Sequence, residues 1–310
     1  MTFPKITMGT WAWGDSYFGN HYDEAHFKDV YQAAIAQGLT LWDTAYAYGA
    51  GASEKILGNL TQATSRDKLQ LSTKFTPQLA GTAADDPVAT MLAGSLDRLQ
   101  TDSVDLYWIH NAADVERWTP ALIPLLKRGQ IKRVGVSNHN LNEIKRVQEI
   151  LGAAGYHLSA IQNHLSLLDR TSEIAGILDY CHQQNLTFFA YMVLEQGALT
   201  GHYTTEHPFP EDTARAQTYN PLLPMIRPLV DQLTQIGQKY DLSAAQTAMA
   251  WAMSKGTLPI IGVTKVAQVN DAAQVAHTTL SVEDIHTLER TASELGVDTI
   301  REWEQNLQEN

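Results

Sequence analysis

The apolar and polar positions repeat one unit along the chain: a short apolar run, then an amphipathic stretch, then another short run. Residues 6–11, 39–43, 69–74, 104–110, 131–137, 158–163, 187–192 and 258–262 read as strands buried on both faces. Between them lie helical patterns. In 86–100, Val88, Met91, Leu92, Leu96 and Leu99 fall on one stripe of a helix. Ser243 with Gln246 forms a capping-box pattern before a helix to Lys255, and Ser281 caps a helix carrying Ile285, Leu288, Ala292 and Leu295. Gly38, Gly129 and Gly256 each follow a helical pattern and precede a strand. Eight strands alternating with helices predict a (β/α)₈ barrel, an α/β fold, as one domain over residues 1–310. The long irregular stretch is 197–224, rich in Thr, His and Pro and containing Arg215; a loop that long is functional or mobile.

Chemistry gathers where the apolar runs end. The second strand ends in Asp43, and Trp42-Asp43-Thr44-Ala45-Tyr46-Ala47-Tyr48-Gly49 carries the chain into a loop. The third ends in Lys74 and the fourth in His110. A charged or polar residue closing an apolar run is costly unless paired. Taken singly, Lys74 could be a rim salt bridge and His110 a satisfied core histidine. At consecutive strand ends they share one rim of a barrel, where active sites sit. Asp43 and His110 could instead be metal ligands, but no H-x-H or H-E-x-x-H spacing supports a metal.

Composition narrows the classes. The formal net charge of −12 argues against nucleic acid and against anionic membrane surfaces. The start of the chain has no signal-peptide pattern, and no apolar run is long enough to span a bilayer. Cys181 is the only cysteine, at helical spacing with Ile174, Ile177 and Leu178, so it reads as packing in a reducing, cytoplasmic protein.

Four motifs carry a resemblance: Asp43-Thr44-Ala45-x-x-Tyr48-Gly49, Ser72-Thr73-Lys74, Asp105-Leu106-Tyr107-x-x-His110 and Gly135-Val136-Ser137-Asn138. Their order and spacing resemble the aldo-keto reductase family, from about Met8 to Glu294. The resemblance implies a (β/α)₈ barrel that reduces aldehydes or ketones with a nicotinamide cofactor. It implies Tyr48 as general acid, Lys74 lowering the phenol's pKa, Asp43 holding Lys74, and His110 orienting the carbonyl. No metal is needed.

It also implies a cofactor path. Gly9, Thr10 and Trp11 match residues beneath the nicotinamide ribose. Ser137, Asn138 and Gln162 match the side chains that hold the carboxamide, and Tyr191 matches the aromatic stacked on the nicotinamide. The pyrophosphate loop corresponds to Leu194-Glu195-Gln196-Gly197-Ala198-Leu199-Thr200-Gly201. Gly262-Val263-Thr264-Lys265-Val266-Ala267-Gln268 follows the last strand and offers Lys265 to a 2′-phosphate, which implies NADPH with some use of NADH. Trp13, Phe18, Trp108 and Asn111 are candidates for the substrate mouth, although Trp108 reads equally as barrel packing.

The sequence also departs from the family pattern. Only 1–5 precede the first strand, leaving no room for the usual amino-terminal hairpin. His164 stands in place of an acid, Leu165 in place of an aromatic, and Met192-Val193 in place of Ser-Pro. Some barrels of this family bind the nucleotide as channel subunits with slow turnover, which is the alternative function. The oligomeric state, monomer or small homo-oligomer, is open.

Overall fold

A computed structural model describes residues 3–14, 22–81, 85–297 and 299–308. Eight parallel strands pair in sequence order and close into a barrel, β1 to β8. They are β1 (Thr7–Gly9), β2 (Leu41–Asp43), β3 (Gln70–Phe75), β4 (Leu106–Ile109), β5 (Val134–Ser137), β6 (Leu158–His164), β7 (Thr187–Tyr191) and β8 (Leu258–Gly262). All eight expected runs are strands, most of them trimmed at one end or both.

Helices wrap the outside: α1 (Glu24–Ala36), α2 (Ala52–Thr61), α3 (Pro87–Leu99), α4 (Val115–Lys127), α5 (Leu141–Ala153), α6 (Thr171–Ile174), α7 (Ile177–Gln184), α8 (Ala214–Tyr219), α9 (Leu223–Gln238), α10 (Ala244–Ser254), α11 (Val266–Val275) and α12 (Val282–Glu294). The expected start signals act as such. Ser243 and Gln246 form a reciprocal box on α10 and Ser281 caps α12; at the head of α3 the structure adds a cap that was not expected, Asp86 accepting from Ala89 N–H. Cys181 is buried on α7, where burial pushes its thiol up to about 12, so it is inert. Among the described residues no helix is long and apolar enough to cross a membrane.

Two packed regions divide the core. Most apolar side chains lie between the strands and the helical ring. Inside the barrel, Leu41, Leu106, Trp108, Ala160, Phe189 and Leu258 form a separate plug. Trp108 stands edge-on to Phe189, and Phe3 meets the same Phe189 ring, with centroids 5.1 and 5.2 Å away. Gly135 makes room for this plug: a Cβ there would sit 2.1 Å from the Trp108 ring. Trp108 therefore fills the barrel, with no exposure, and the expectation that it lines the substrate mouth gives way to packing. Its indole N–H donates to Ser72 Oγ at 2.5 Å, which supports the polar layer above.

The stretch 197–224 is more ordered than its composition predicts. It holds α8 and buries Phe209 and Tyr219, with Tyr203 stacked 3.7 Å from Phe209. Six residues are too few to show a helical period, and aromatic stacking supplies the order instead.

Candidate active site

The parallel register sets the height of each strand end. Gly9, Asp43 and Ser72 pair at one level, and β3 continues three residues further, through Lys74 to Phe75. Strand side chains alternate, so Ser72 and Lys74 both point into the barrel. Lys74 is wholly buried there.

An ammonium has three donors and no acceptor. Lys74 Nζ lies 2.5 Å from Asp43 Oδ2, 2.8 Å from the Thr44 carbonyl and 3.0 Å from the Tyr48 hydroxyl oxygen. All three donors are used. Because Lys74 can only donate, the Tyr48 oxygen accepts, and the phenolic proton is left for another acceptor. Asp43 is held in turn by Ser72 Oγ at 2.8 Å and Gln162 Nε2 at 3.2 Å, both on Oδ1. Burial opposes the charge on Lys74, yet Asp43 and Tyr48 hold its pKa above the ordinary value. For Tyr48, burial raises the pKa and Lys74 pulls part of it back, so the net direction is up. The expected lowering by Lys74 is therefore real but outweighed by desolvation.

His110 follows β4, its N–H bonded to the Phe75 carbonyl. Its ring stands edge-on to Tyr48, centroids 5.9 Å apart, and Nδ1 lies 2.9 Å from Thr76 Oγ1. Burial, with the Lys74 charge adding to it, pushes its pKa well below 6.5, so His110 is neutral at pH 7. The four candidates Asp43, Tyr48, Lys74 and His110 thus meet at one point. Trp11 joins them, its ring stacked 6.0 Å from that of Tyr48. Tyr46 lies apart, under the Arg98 guanidinium.

The remaining candidates separate by depth. Trp13 has no exposed surface; it stacks on Phe27 at 4.6 Å and donates to the Val263 carbonyl at 2.7 Å. It is a core residue, which corrects its assignment to the substrate mouth. Phe18 lies outside the described residues. Asn111 is at the mouth, where its amide oxygen accepts from Asn138 Nδ2 at 2.9 Å. Thr10 is buried, its hydroxyl held by Ser53 and the Asp43 carbonyl.

Around the rim, Ser137, Asn138, Gln162 and Tyr191 cluster at the ends of β5, β6 and β7. Asn138 adopts φ 59° and donates to the His110 carbonyl at 3.0 Å. Next comes the turn Glu195–Thr200, which is flanked by Leu194 and Gly201. Glu195, Gln196 and Gly197 take successive positive φ of 46°, 52° and 109°. Both polar atoms of the Gln196 side chain are enclosed without a partner among the described residues. An unpaired buried amide costs about 1–3 kcal/mol, so this cradle fits a ligand with polar groups. Leu199 packs in the core behind it. After β8 and Gly262, Val263 is buried and donates to the Gly9 carbonyl. Gln268 Oε1 accepts from the N–H groups of Thr264 and Lys265 and so shapes the loop. Lys265 is exposed at the start of α11.

Sequence reading missed a buried ionic cluster behind Tyr191. His164 Nε2 lies 2.8 Å from Glu195 Oε1, and its Nδ1 lies 3.0 Å from Glu304 Oε2 and 3.2 Å from Asp169 Oδ2. Burial opposes a charge on His164, but Glu195 and Glu304 raise its pKa well above 6.5, so it is an imidazolium. Histidine in place of an acid at 164 was the only signal; Asp169 is near in sequence, but Glu195 and Glu304, which supply the charge, stand far away.

A family model described as the aldo/keto reductase family matches residues 5–292. The chain is 30% identical to the Bacillus subtilis aldo-keto reductase YhdN over 94% of its own length and 91% of that protein's. It is 27% identical to the chloroplastic pyridoxal reductase of Arabidopsis thaliana, covering 95% and 84%. A solved glycerol dehydrogenase of Gluconobacter oxydans superposes with a TM-score of 0.83 at 25% identity, covering 96% and 94%. An aldo-keto reductase of Klebsiella pneumoniae, solved with NADPH, superposes with a TM-score of 0.74 at 27% identity, covering 93% and 90%.

Proposed function

The chain belongs to the aldo/keto reductase family, and from that premise we propose that it reduces an aldehyde or ketone to the alcohol with NADPH, Tyr48 being the general acid. The family makes it an NAD(P)H-dependent oxidoreductase. One observation carries the assignment of Tyr48. Its oxygen accepts from Lys74, so its proton is free to pass to a substrate oxygen. Its raised pKa keeps that proton in place at neutral pH.

NADPH, when bound, supplies the hydride that reaches the carbonyl carbon. Tyr48 gives its proton to the carbonyl oxygen as charge develops there. Lys74 steadies the phenolate left behind, and Asp43 keeps Lys74 charged and aimed. In the tautomer that accepts from Thr76 at Nδ1, neutral His110 carries its proton on Nε2 and donates it to the same oxygen. Asn111 would contact the substrate, and Trp11, stacked beside Tyr48, would lie beneath the nicotinamide ribose.

The dinucleotide has a matching set of groups. Asn138, Gln162 and Ser137 would hold the carboxamide, and Tyr191 would face the nicotinamide ring. The unpartnered Gln196 amide and the positive-φ turn at Gly197 would meet the pyrophosphate, with Lys265 at the 2′-phosphate. A cytoplasmic setting is part of this reading; the lone reduced thiol supports it.

Steady-state reduction of a reactive aromatic aldehyde with NADPH tests it. Tyr48→Phe should lower kcat by at least about 10²-fold, with NADPH affinity nearly unchanged. Tyr46→Phe should stay within a few-fold of wild type, because its ring sits under Arg98. A Tyr48→Phe enzyme with near wild-type kcat, chemistry being rate-limiting, would overturn the assignment.

A further inference from the structure

We infer that the carboxyl-terminal segment 299–308 clasps the cofactor site, Glu304 positioning Tyr191 and Asn306 positioning Asn138. The inference rests on the reading that Tyr191 and Asn138 hold the nicotinamide end of NADPH.

Glu304 is wholly buried although it sits in a short turn near the end of the chain. Its Oε1 accepts from the Tyr191 hydroxyl at 2.6 Å. Its Oε2 accepts from the Arg301 N–H at 2.7 Å and faces His164 Nδ1 at 3.0 Å. The carboxylate thus joins the turn, the imidazolium and the phenol of β7. The Tyr191 hydroxyl also lies 2.5 Å from Asn138 Oδ1. The Asn138 amide cannot be flipped, since Nδ2 already donates to the His110 carbonyl and Asn111 Oδ1. The Tyr191 proton is therefore shared between two acceptors, of which Glu304 is charged and the stronger. His164 stacks on one face of the Tyr191 ring, centroids 5.6 Å apart. With its hydroxyl pinned and one face covered, the ring is fixed in tilt and offers its other face.

Asn306 acts on the neighbouring residue. Its Nδ2 donates to the Asn138 carbonyl at 3.0 Å and to Glu143 Oε2 at 3.1 Å. The segment is anchored independently of both contacts. Thr299 donates to Glu195 at 3.0 Å, Arg301 reaches Thr218 and Tyr219, and Leu307 is buried. Two residues of one segment therefore hold two of the residues assigned to the nicotinamide, Tyr191 by its hydroxyl and Asn138 by its backbone carbonyl. Binding linkage is reciprocal, so a segment that orders the site tightens NADPH, and NADPH tightens the segment.

NADPH dissociation constants from fluorescence titration of wild type, Glu304→Ala, Tyr191→Phe and the double variant test the clasp. Each single variant should weaken NADPH by about five- to ten-fold. The double variant should be no weaker than the worse single one, because Glu304 acts through the Tyr191 hydroxyl. Hydrogen exchange on the unaltered chain needs no folded variant: saturating NADPH should slow the amides of 301–308. Wild-type affinity in a folded Glu304→Ala, additive losses in the double variant, or unchanged exchange would each overturn the clasp while leaving the cofactor reading intact. A wild-type chain that binds no NADPH would overturn both.

Discussion

Lys74 and Asp43 form an ion pair of 2.5 Å inside the barrel, with neither side chain reaching water to any useful extent. Removing one partner of such a pair leaves a buried charge, which costs about 3–5 kcal/mol. Lys74→Met should therefore lose stability as well as kcat. Tyr48→Phe removes one acceptor at a half-buried site and should cost no more than about 1.5 kcal/mol. Denaturant unfolding of the two variants beside their aldehyde turnover checks this. Equal stability of Lys74→Met and wild type would mean that the pair is not desolvated in solution.

The loop after β8 bears on cofactor choice. Lys265 is exposed at the amino end of α11, where its charge and the helix dipole both favour a phosphate. We expect NADPH preference with some use of NADH. Lys265→Ala should raise the KM for NADPH by about ten-fold while leaving that for NADH nearly constant. An equal change with both cofactors would return Lys265 to a solvated loop.

The stretch 197–224 should respond to cofactor only in part. Phe209, Thr213 and Tyr219 are already buried, whereas Glu206 and Glu211 are exposed. A glutamate-specific protease should cut at these two positions, and NADP⁺ should slow the cutting if the loop closes over the bound dinucleotide. Identical cleavage rates with and without saturating NADP⁺ would show that the loop takes no part in binding.

Two histidines at the same barrel rim should titrate in opposite senses. Burial and the Lys74 charge push His110 well below 6.5, and the carboxylates of Glu195 and Glu304 hold His164 well above it. Proton NMR should find His110 neutral and His164 charged at pH 7. The linkage signs follow. Stability from His164 is complete below about pH 6.5 and is lost as pH rises through its raised folded pKa, at up to about 1.4 kcal/mol per unit. The depressed pKa of His110 makes stability fall as pH drops below about 6.5 toward its folded value. A His164 resonance titrating near 6.5 would contradict the ion cluster.

The sequence by itself determined the eight strands, the caps of α10 and α12, and the rim positions of Asp43, Tyr48, Lys74 and His110. Those features are local. Strand and helix periods span a few residues, a cap is read three residues away, and a charged residue ending an apolar run marks a strand end. Depth and pairing are not local. Trp13 and Trp108 resemble mouth residues in the sequence, but the Val263 carbonyl and the notch at Gly135 take them into the core. Gln162 reads as an amide awaiting a ligand, and the fold gives it Asp43, 119 residues away. His164 owes its charge to Glu195 and Glu304, 31 and 140 residues on, so no short window of the chain could reveal it. The direction of the Tyr48 shift likewise depends on how far burial outweighs Lys74, which is known only once the barrel has closed around both. Desolvation and ion pairing depend on which distant groups share a site, and tertiary structure alone brings those groups together.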